Sequence, residues 1–211
     1  MRFFFTVLCA LLCLQAQAAD YTLVSPDRHI SAMIQTADEV SMQVSYQGKK
    51  YLTIPHIRLV TDNRTLGQKA SVRKVTTRSA NNMLYPLYGI NSTVKEKYNE
   101  LRLDCKGGYA IIFRAYNEGV AWRFVTAMGK SLIIRDEPVD YQFAGNYEAW
   151  FHPAMSESDY RRQHVSDAAL KPNYTSMPVL VKADDGIDML LHESDVSNYP
   201  CMSLVSSVDK P

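Results

Sequence analysis

The sequence carries almost no excess of charge: 23 Lys and Arg stand against 22 Asp and Glu in 211 residues, a net charge of +1 with histidine neutral. A nucleic-acid partner or an anionic membrane surface calls for a basic excess or stripe, so neither is expected. Cysteine is scarce, with four residues in all, and no Cys/His group has the spacing of a structural zinc site. Sustained helical periodicity is missing; Ser156 to Leu170 comes nearest, and it is polar enough to read as a surface loop or a short helix. The apolar run Phe3 to Leu14 falls short of the roughly 18 to 20 residues that cross a bilayer, so no membrane span is expected in the mature chain. What remains, 46% hydrophobic and 21% charged residues, is the composition of an ordinary globular protein.

The N-terminus reads as a secretory signal over residues 1–19. Met1-Arg2 is a short positive start, the apolar run follows, and Ala16-Gln17-Ala18 is a small-x-small cleavage site. The mature chain then begins at Ala19 or Asp20, and export across an inner membrane into the periplasm is the expected localisation. A lipoprotein anchor at Cys13 is disfavoured by the bulky Leu12 before it. Export removes Cys9 and Cys13 with the signal, leaving Cys105 and Cys201 in a compartment where a bridge is permitted. Whether the two meet is left open by their spacing.

Along the mature chain the dominant period is two. Tyr21–Val24, His29–Gln35, Val40–Tyr46, Tyr51–Ile54, Ile57–Val60, Ser71–Thr77, Glu100–Cys105, Ala110–Tyr116, Val120–Val125 and Leu132–Ile134 suit strands. Ser25-Pro26-Asp27 and Gln47-Gly48-Lys49 are turn chemistry, and Asn117-Glu118-Gly119 is a short hairpin loop. Many short strands with turns between them predict an all-β domain over residues 20–211, a large antiparallel β-sandwich.

Three segments carry polar residues where a site is built. In Tyr85–Ile90 followed by Val94–Leu101, Tyr98, Asn99 and Glu100 combine an aromatic face with amide and carboxylate groups, as sugar sites do; the alternative is that Tyr98 and Leu101 pack inside while the charges face water. In Trp150–Arg162 an aromatic strand end runs into a loop holding Glu157 and Asp159, followed by Asn173-Tyr174-Thr175. Finally, Asp184-Asp185-Gly186 is a turn, Ile187–Leu191 a strand, and His192-Glu193 its polar end, which places a carboxylate on a rigid scaffold. The plainer reading is that Glu193 caps a turn or pairs with a surface Lys or Arg. Glu157 and Glu193 offer the hard oxygens that calcium takes, but two glutamates are too few for its six to eight ligands.

Leu23–Asp27, Lys97–Leu101, Phe113–Phe124, and Asp184–Gly186 through His192-Glu193 to Tyr199–Met202, in that order, resemble the N-terminal domain of glycoside hydrolase family 97 over almost the whole mature chain. The resemblance implies a sandwich of super-sandwich type, packed in exported bacterial α-glucosidases and α-galactosidases on a (β/α)8 barrel. It implies a calcium ion held largely by barrel glutamates with one carboxylate from the sandwich, for which Glu157 is first choice by position and Glu193 second. It also implies an α-linked oligosaccharide substrate, with Asn173, Tyr174, Thr175, Asn99 and Glu100 as candidate contacts. Glycoside hydrolysis needs two carboxylates flanking the scissile bond, and in the family both lie in the barrel, so no catalytic residue is expected here. The sequence stops at Pro211, where the sandwich still needs further strands and the barrel has not begun. The short loop from Pro153 to Tyr160 tilts the choice toward the retaining α-galactosidase branch. A stand-alone carbohydrate-binding sandwich and a structural domain with neither ligand are the other two readings.

Overall fold

The computed structural model describes residues 19–129, 131–151, 161–168, 174–194, 199 and 201–205. They divide into two units, the first running through Gln142 and the second starting at Phe143. Among the described residues every regular element but one four-residue helix is a strand, and the pairings whose register is defined are antiparallel. The all-β class read from the period of two is therefore the architecture of the molecule.

The first unit opens with a meander of β1 (Ala19–Val24), β2 (Ile30–Thr36), β3 (Val40–Tyr46) and β4 (Lys49–Ile54). Alternation sets its inner face: Ile30, Ala32, Ile34 and Thr36 of β2 are buried while the residues between them are not. Its turns follow from local chemistry. Gln47 and Gly48 join β3 to β4 with φ of 48° and 82°, the pair of positive values that a two-residue hairpin with matching twist needs. Between β1 and β2, Ser25 Oγ accepts from the Ile30 amide at 3.0 Å and donates to Asp27 Oδ1 at 2.5 Å. That bond holds the Asp27 carboxyl below its ordinary range.

Short strands β5 (Leu59–Thr61) and β6 (Thr65–Leu66) form a small sheet that is completed further on in the chain. Gly67, just after β6, has φ of +89°, and a Cβ there would lie 2.1 Å from the Ile57 carbonyl oxygen. Gly67→Ala should therefore lower the stability of the first unit by about 2 kcal/mol or more, from the left-handed backbone plus a clash with main chain that cannot swing away. Urea denaturation measures it; a loss under about 0.5 kcal/mol would refute the close approach.

The second large sheet is made of β7 (Val72–Leu84), β8 (Val94–Cys105), β9 (Tyr109–Tyr116) and β10 (Val120–Thr126), in the order β10-β9-β8-β7. One of its faces carries Leu101, Leu103, Ile111, Phe113 and Ala115, all buried. Strands β1 and β2 pack against β8 and β9, and Asn99 reaches across to the Val24 carbonyl at 2.8 Å, so two sheets enclose one core. The strands expected at Ser71–Thr77 and Glu100–Cys105 prove to be the inner halves of β7 and β8, which run on to Leu84 and start at Val94. Residues 78–84 have little strand propensity by themselves; their partners across the ladder decide their conformation. β11 (Ile134–Asp136) joins β5, shifted by two residues from the expected Leu132–Ile134, and the two-residue β12 (Gln142–Phe143) stands where the first unit ends.

The second unit holds β13 (Glu148–Phe151), β14 (Arg161–His164), the helix α1 (Val165–Ala168), β15 (Tyr174–Ser176), β16 (Val179–Lys182), β17 (Asp188–Leu191) and β18 (Ser203–Val205). One sheet has the order β14-β13-β16-β17 around buried Ala149, Val179, Val181 and Leu191, and β15 pairs with β18. The single turn of α1 lies inside the segment read as a loop or short helix. The Asp184–Gly186 turn closes as expected, with the Gly186 amide on the Ala183 carbonyl and φ of 85° at Gly186.

Candidate functional site

The densest polar constellation among the described residues sits on the face of the β7–β10 sheet opposite Leu101 and Phe113. Register puts Arg78, Glu100 and Arg114 directly opposite one another on three adjacent strands. The Glu100 carboxylate, only 5% exposed, receives Arg78 Nε on Oε1 at 2.6 Å and Arg78 Nη2 on Oε2 at 2.9 Å. Arg114 Nε donates to Oε2 at 2.7 Å. Two residues along, Tyr98 and Tyr116 extend the ladder: Arg78 Nη2 donates to the Tyr98 hydroxyl at 3.1 Å and Arg114 Nη1 to the Tyr116 hydroxyl at 3.3 Å. The Arg114 guanidinium also lies 4.2 Å from the Tyr98 ring centre, a cation–π contact.

The charges in this ladder are fixed by their partners. Hydrogen bonding from Arg78 lowers the Glu100 carboxyl, against the opposing effect of burial, and Arg78 is raised by the same bond. Burial works against charge on Arg114, yet hydrogen bonds to Tyr116 and Glu100 outweigh it and its pKa is raised. With three charge-assisted hydrogen bonds on it, Glu100 is an ionised strut and a poor proton donor. The reading in which the charges of this segment face water is therefore corrected at Glu100, because the flanking arginines supply the hydrogen bonds that water would have supplied. Tyr98 and Leu101 are both buried, on opposite faces of β8.

Asn99 is engaged in the same region: its side-chain amide donates to the Val24 carbonyl and its Oδ1 accepts from Ser79 Oγ at 2.6 Å. Thr22–Val24, Thr77–Ser79, Asn99 and Glu100 line a shallow hollow of about 420 Å³. The structure thus brings Asn99 and Glu100 to one depression with their polar groups already paired inside the protein. Arg78 and Arg114 were not expected as partners of Glu100; the signal that finds them is the pairing register, which has no expression in a single strand.

In the second unit, Glu193 follows β17 and is half-buried, with Oε1 accepting the Met202 amide at 2.7 Å. This bond, to an amide nine residues further along the chain, orients the carboxylate. Tyr174 is 63% exposed on β15, whereas Thr175 beside it is buried. Glu157 and Asn173 lie outside the described residues. At the β14 edge of the same sheet as β17, three strands away from it, Arg162 Nη2 donates to Glu148 at 2.6 Å, which lowers the Glu148 carboxyl, and its guanidinium covers the Trp150 ring at 5.6 Å.

Among the described residues no three His, Cys, Asp or Glu side chains converge closely enough to hold a metal ion. Among the described residues the two thiols are free: Cys105 is buried, which pushes its pKa up, and Cys201 is exposed.

The sequence model described as "Glycosyl-hydrolase 97 N-terminal" matches residues 23–211. A curated relative, the retaining alpha-galactosidase of Bacteroides thetaiotaomicron, is 31% identical over 218 aligned positions, covering 96% of this chain and 33% of its own length. The chain thus spans a third of the curated relative it matches. A glycoside hydrolase family 97 enzyme solved with acarbose, from Pseudoalteromonas sp. strain K8, superposes with a TM-score of 0.76 at 23% identity, covering 88% of this chain and 30% of that one. A beta-arabinopyranosidase crystal structure gives 0.72 at 18% identity, covering 82% and 31%.

Proposed function

Because the chain belongs to the glycosyl-hydrolase 97 N-terminal family, we propose that it is the supporting β-sandwich of a calcium-dependent α-glycosidase, exported to the periplasm by a signal over residues 1–19. In this reading α-galactosides are favoured over α-glucosides, and the catalytic carboxylates lie in a (β/α)8 barrel on which the sandwich packs. The observation that carries the proposal is the match over residues 23–211 together with 31% identity to a retaining α-galactosidase. The fold is shared with relatives named for different sugars, so it does not choose the sugar.

The work of this chain is positional. Its first unit offers a rigid two-sheet core, and its second unit presents Glu193 at a strand end with one oxygen already steered by the Met202 amide. Glu193, or Glu157 in its place, donates one carboxylate to calcium, and the remaining oxygens come from the catalytic domain. When bound, such an ion supplies fixed positive charge next to the reacting sugar. Tyr174, largely exposed, is available for stacking on a sugar face or for domain contact, with Asn173 beside it; buried Thr175 shapes the strand beneath. Asn99 and Glu100 hold β7, β8 and β9 together.

In the polypeptide encoded by the complete reading frame, Glu193→Gln should weaken calcium binding about tenfold, with activity falling in parallel, because the site loses one charged ligand. Calorimetric calcium titration beside a rate assay reads this. If Glu193→Gln binds normally and Glu157→Gln does not, the ligand is Glu157.

The deciding test is hydrolysis of p-nitrophenyl α-galactoside and α-glucoside, with and without EDTA, by this chain and by the product of the complete reading frame. Activity confined to the longer protein and lost with EDTA is expected. Hydrolysis by the chain alone would place the catalytic carboxylates within it. A reading frame that closes at Pro211, with sugar affinity in the chain itself, would establish a carbohydrate-binding module instead.

A further inference from the structure

The outer halves of β7 and β8 leave the sheet. β9 pairs with β8 only from Cys105 back to Tyr98, whereas β7 and β8 remain paired out to Leu84 and Val94. The last four pairs, from Asn81↔Lys97 to Leu84↔Val94, form a two-stranded arm about 14 Å long at the usual rise per residue. Its loop is apolar and bare: Leu87 is 91% exposed, Tyr88 89% and Ile90 103%, with Tyr85, Met83 and Leu84 exposed beside them. No charged residue occurs from Met83 to Val94, and Lys95, Glu96 and Lys97 follow on the β8 strand toward the base. An apolar centre with a polar rim is the anatomy of a protein interface, and tyrosine is among the residues that carry most binding energy there. A two-stranded ribbon with such a tip is marginal in water unless something covers it.

We infer that the β7–β8 arm, with Leu87, Tyr88 and Ile90 at its tip, is a docking element that seats in an apolar recess of the catalytic domain of the same polypeptide. The inference rests on the proposed function and names the surface through which the sandwich meets its partner. Size selects a tethered partner over a second copy. One loop cannot supply the roughly 20 to 30 residues a side of a stable interface between separate molecules, whereas a covalent tether raises the effective concentration enough for a small contact to form. The match covers only 33% of the curated relative, so two thirds of that protein lies outside it and is large enough to hold the recess. The neutral tip calls for an uncharged apolar surface.

Hydrogen exchange read by mass spectrometry, on the complete polypeptide and on this chain alone, tests the inference. Amides of residues 83–94 should exchange about tenfold or more slowly in the complete polypeptide and fast in the chain alone. The double variant Leu87→Asp, Ile90→Asp should restore fast exchange and lower the melting temperature of the complete polypeptide, while leaving that of the chain alone unchanged, since both side chains stand in solvent there. Equal exchange in both proteins overturns the docking, as does protection in the chain alone that grows with its concentration, which would assign the arm to self-association. A polypeptide that cleaves the glycosides while its arm stays fast refutes the docking and leaves the glycosidase reading standing; a protected arm in a polypeptide without glycosidase activity does the reverse.

Discussion

Glu100→Gln will destabilise the first unit by about 2 to 3 kcal/mol at pH 7, because it removes the negative charge between two arginines and leaves them facing each other across a buried position. The value sits below that for a fully buried pair because the Arg78 side chain is 56% exposed and water screens it, whereas Arg114 is 23% exposed. Glutamine keeps the shape and one acceptor oxygen, so the loss reports charge more than packing.

The same substitution has a signed pH dependence. In the folded protein the Glu100 carboxyl is lowered by hydrogen bonding from Arg78, so it sits below the ordinary value of about 4.3 that it takes when unfolded. A depressed carboxyl contributes stability that is present above the unfolded value and lost as pH falls through the folded one. The gap between the native protein and Glu100→Gln should therefore be full at pH 7 and narrow below about pH 4. Urea titrations at pH 7 and pH 3 measure it. A gap of the same size at both values would mean that the ladder's charge is not what the mutation removes.

Phe113→Ala should cost more, about 3 to 5 kcal/mol, for a different reason. Phe113 is 1% exposed, on the central strand β9, among Leu101, Leu103 and Ile111 on the face that meets β1 and β2. Sheet backbones on both sides of the core restrain collapse around the deleted ring, so a cavity term adds to the lost burial. Val75→Ala, on the exposed edge strand β7, should stay within about 0.5 kcal/mol and serves as the control. Matching losses at the two positions would refute the assignment of Phe113 to the core. Phe113 and Glu100 also test the two faces of one sheet, since Phe113 lies opposite Leu101, the residue after Glu100.

Much of this architecture is legible in the sequence itself. Strands announce themselves when alternate side chains differ in polarity, as in Ile30–Thr36, and hairpins when Gly stands where φ must be positive, as at Gly48. The outer half of β7 was not legible, because Arg78-Ser79-Ala80-Asn81-Asn82 shows no apolar alternation and is held extended by its partner strand. The charged ladder was hidden for a related cause. Glu100 reads as a solvent-facing carboxylate until pairing sets Arg78 and Arg114, 22 and 14 residues away, on either side of it.

Family membership, the all-β class and most strand positions are thus local properties, written in periodicity and in an ordered set of short segments that survive without knowledge of contacts. The state of each polar group is not local. Glu100 as a buried strut, Asn99 as a cross-sheet tie, Glu193 as the acceptor of the Met202 amide and the unaccompanied arm beyond Tyr98 all depend on which strands become neighbours and in what register. Register is decided by the burial of whole faces at once, since a shift of one residue would turn Leu101 and Phe113 outward and Glu100 into the core.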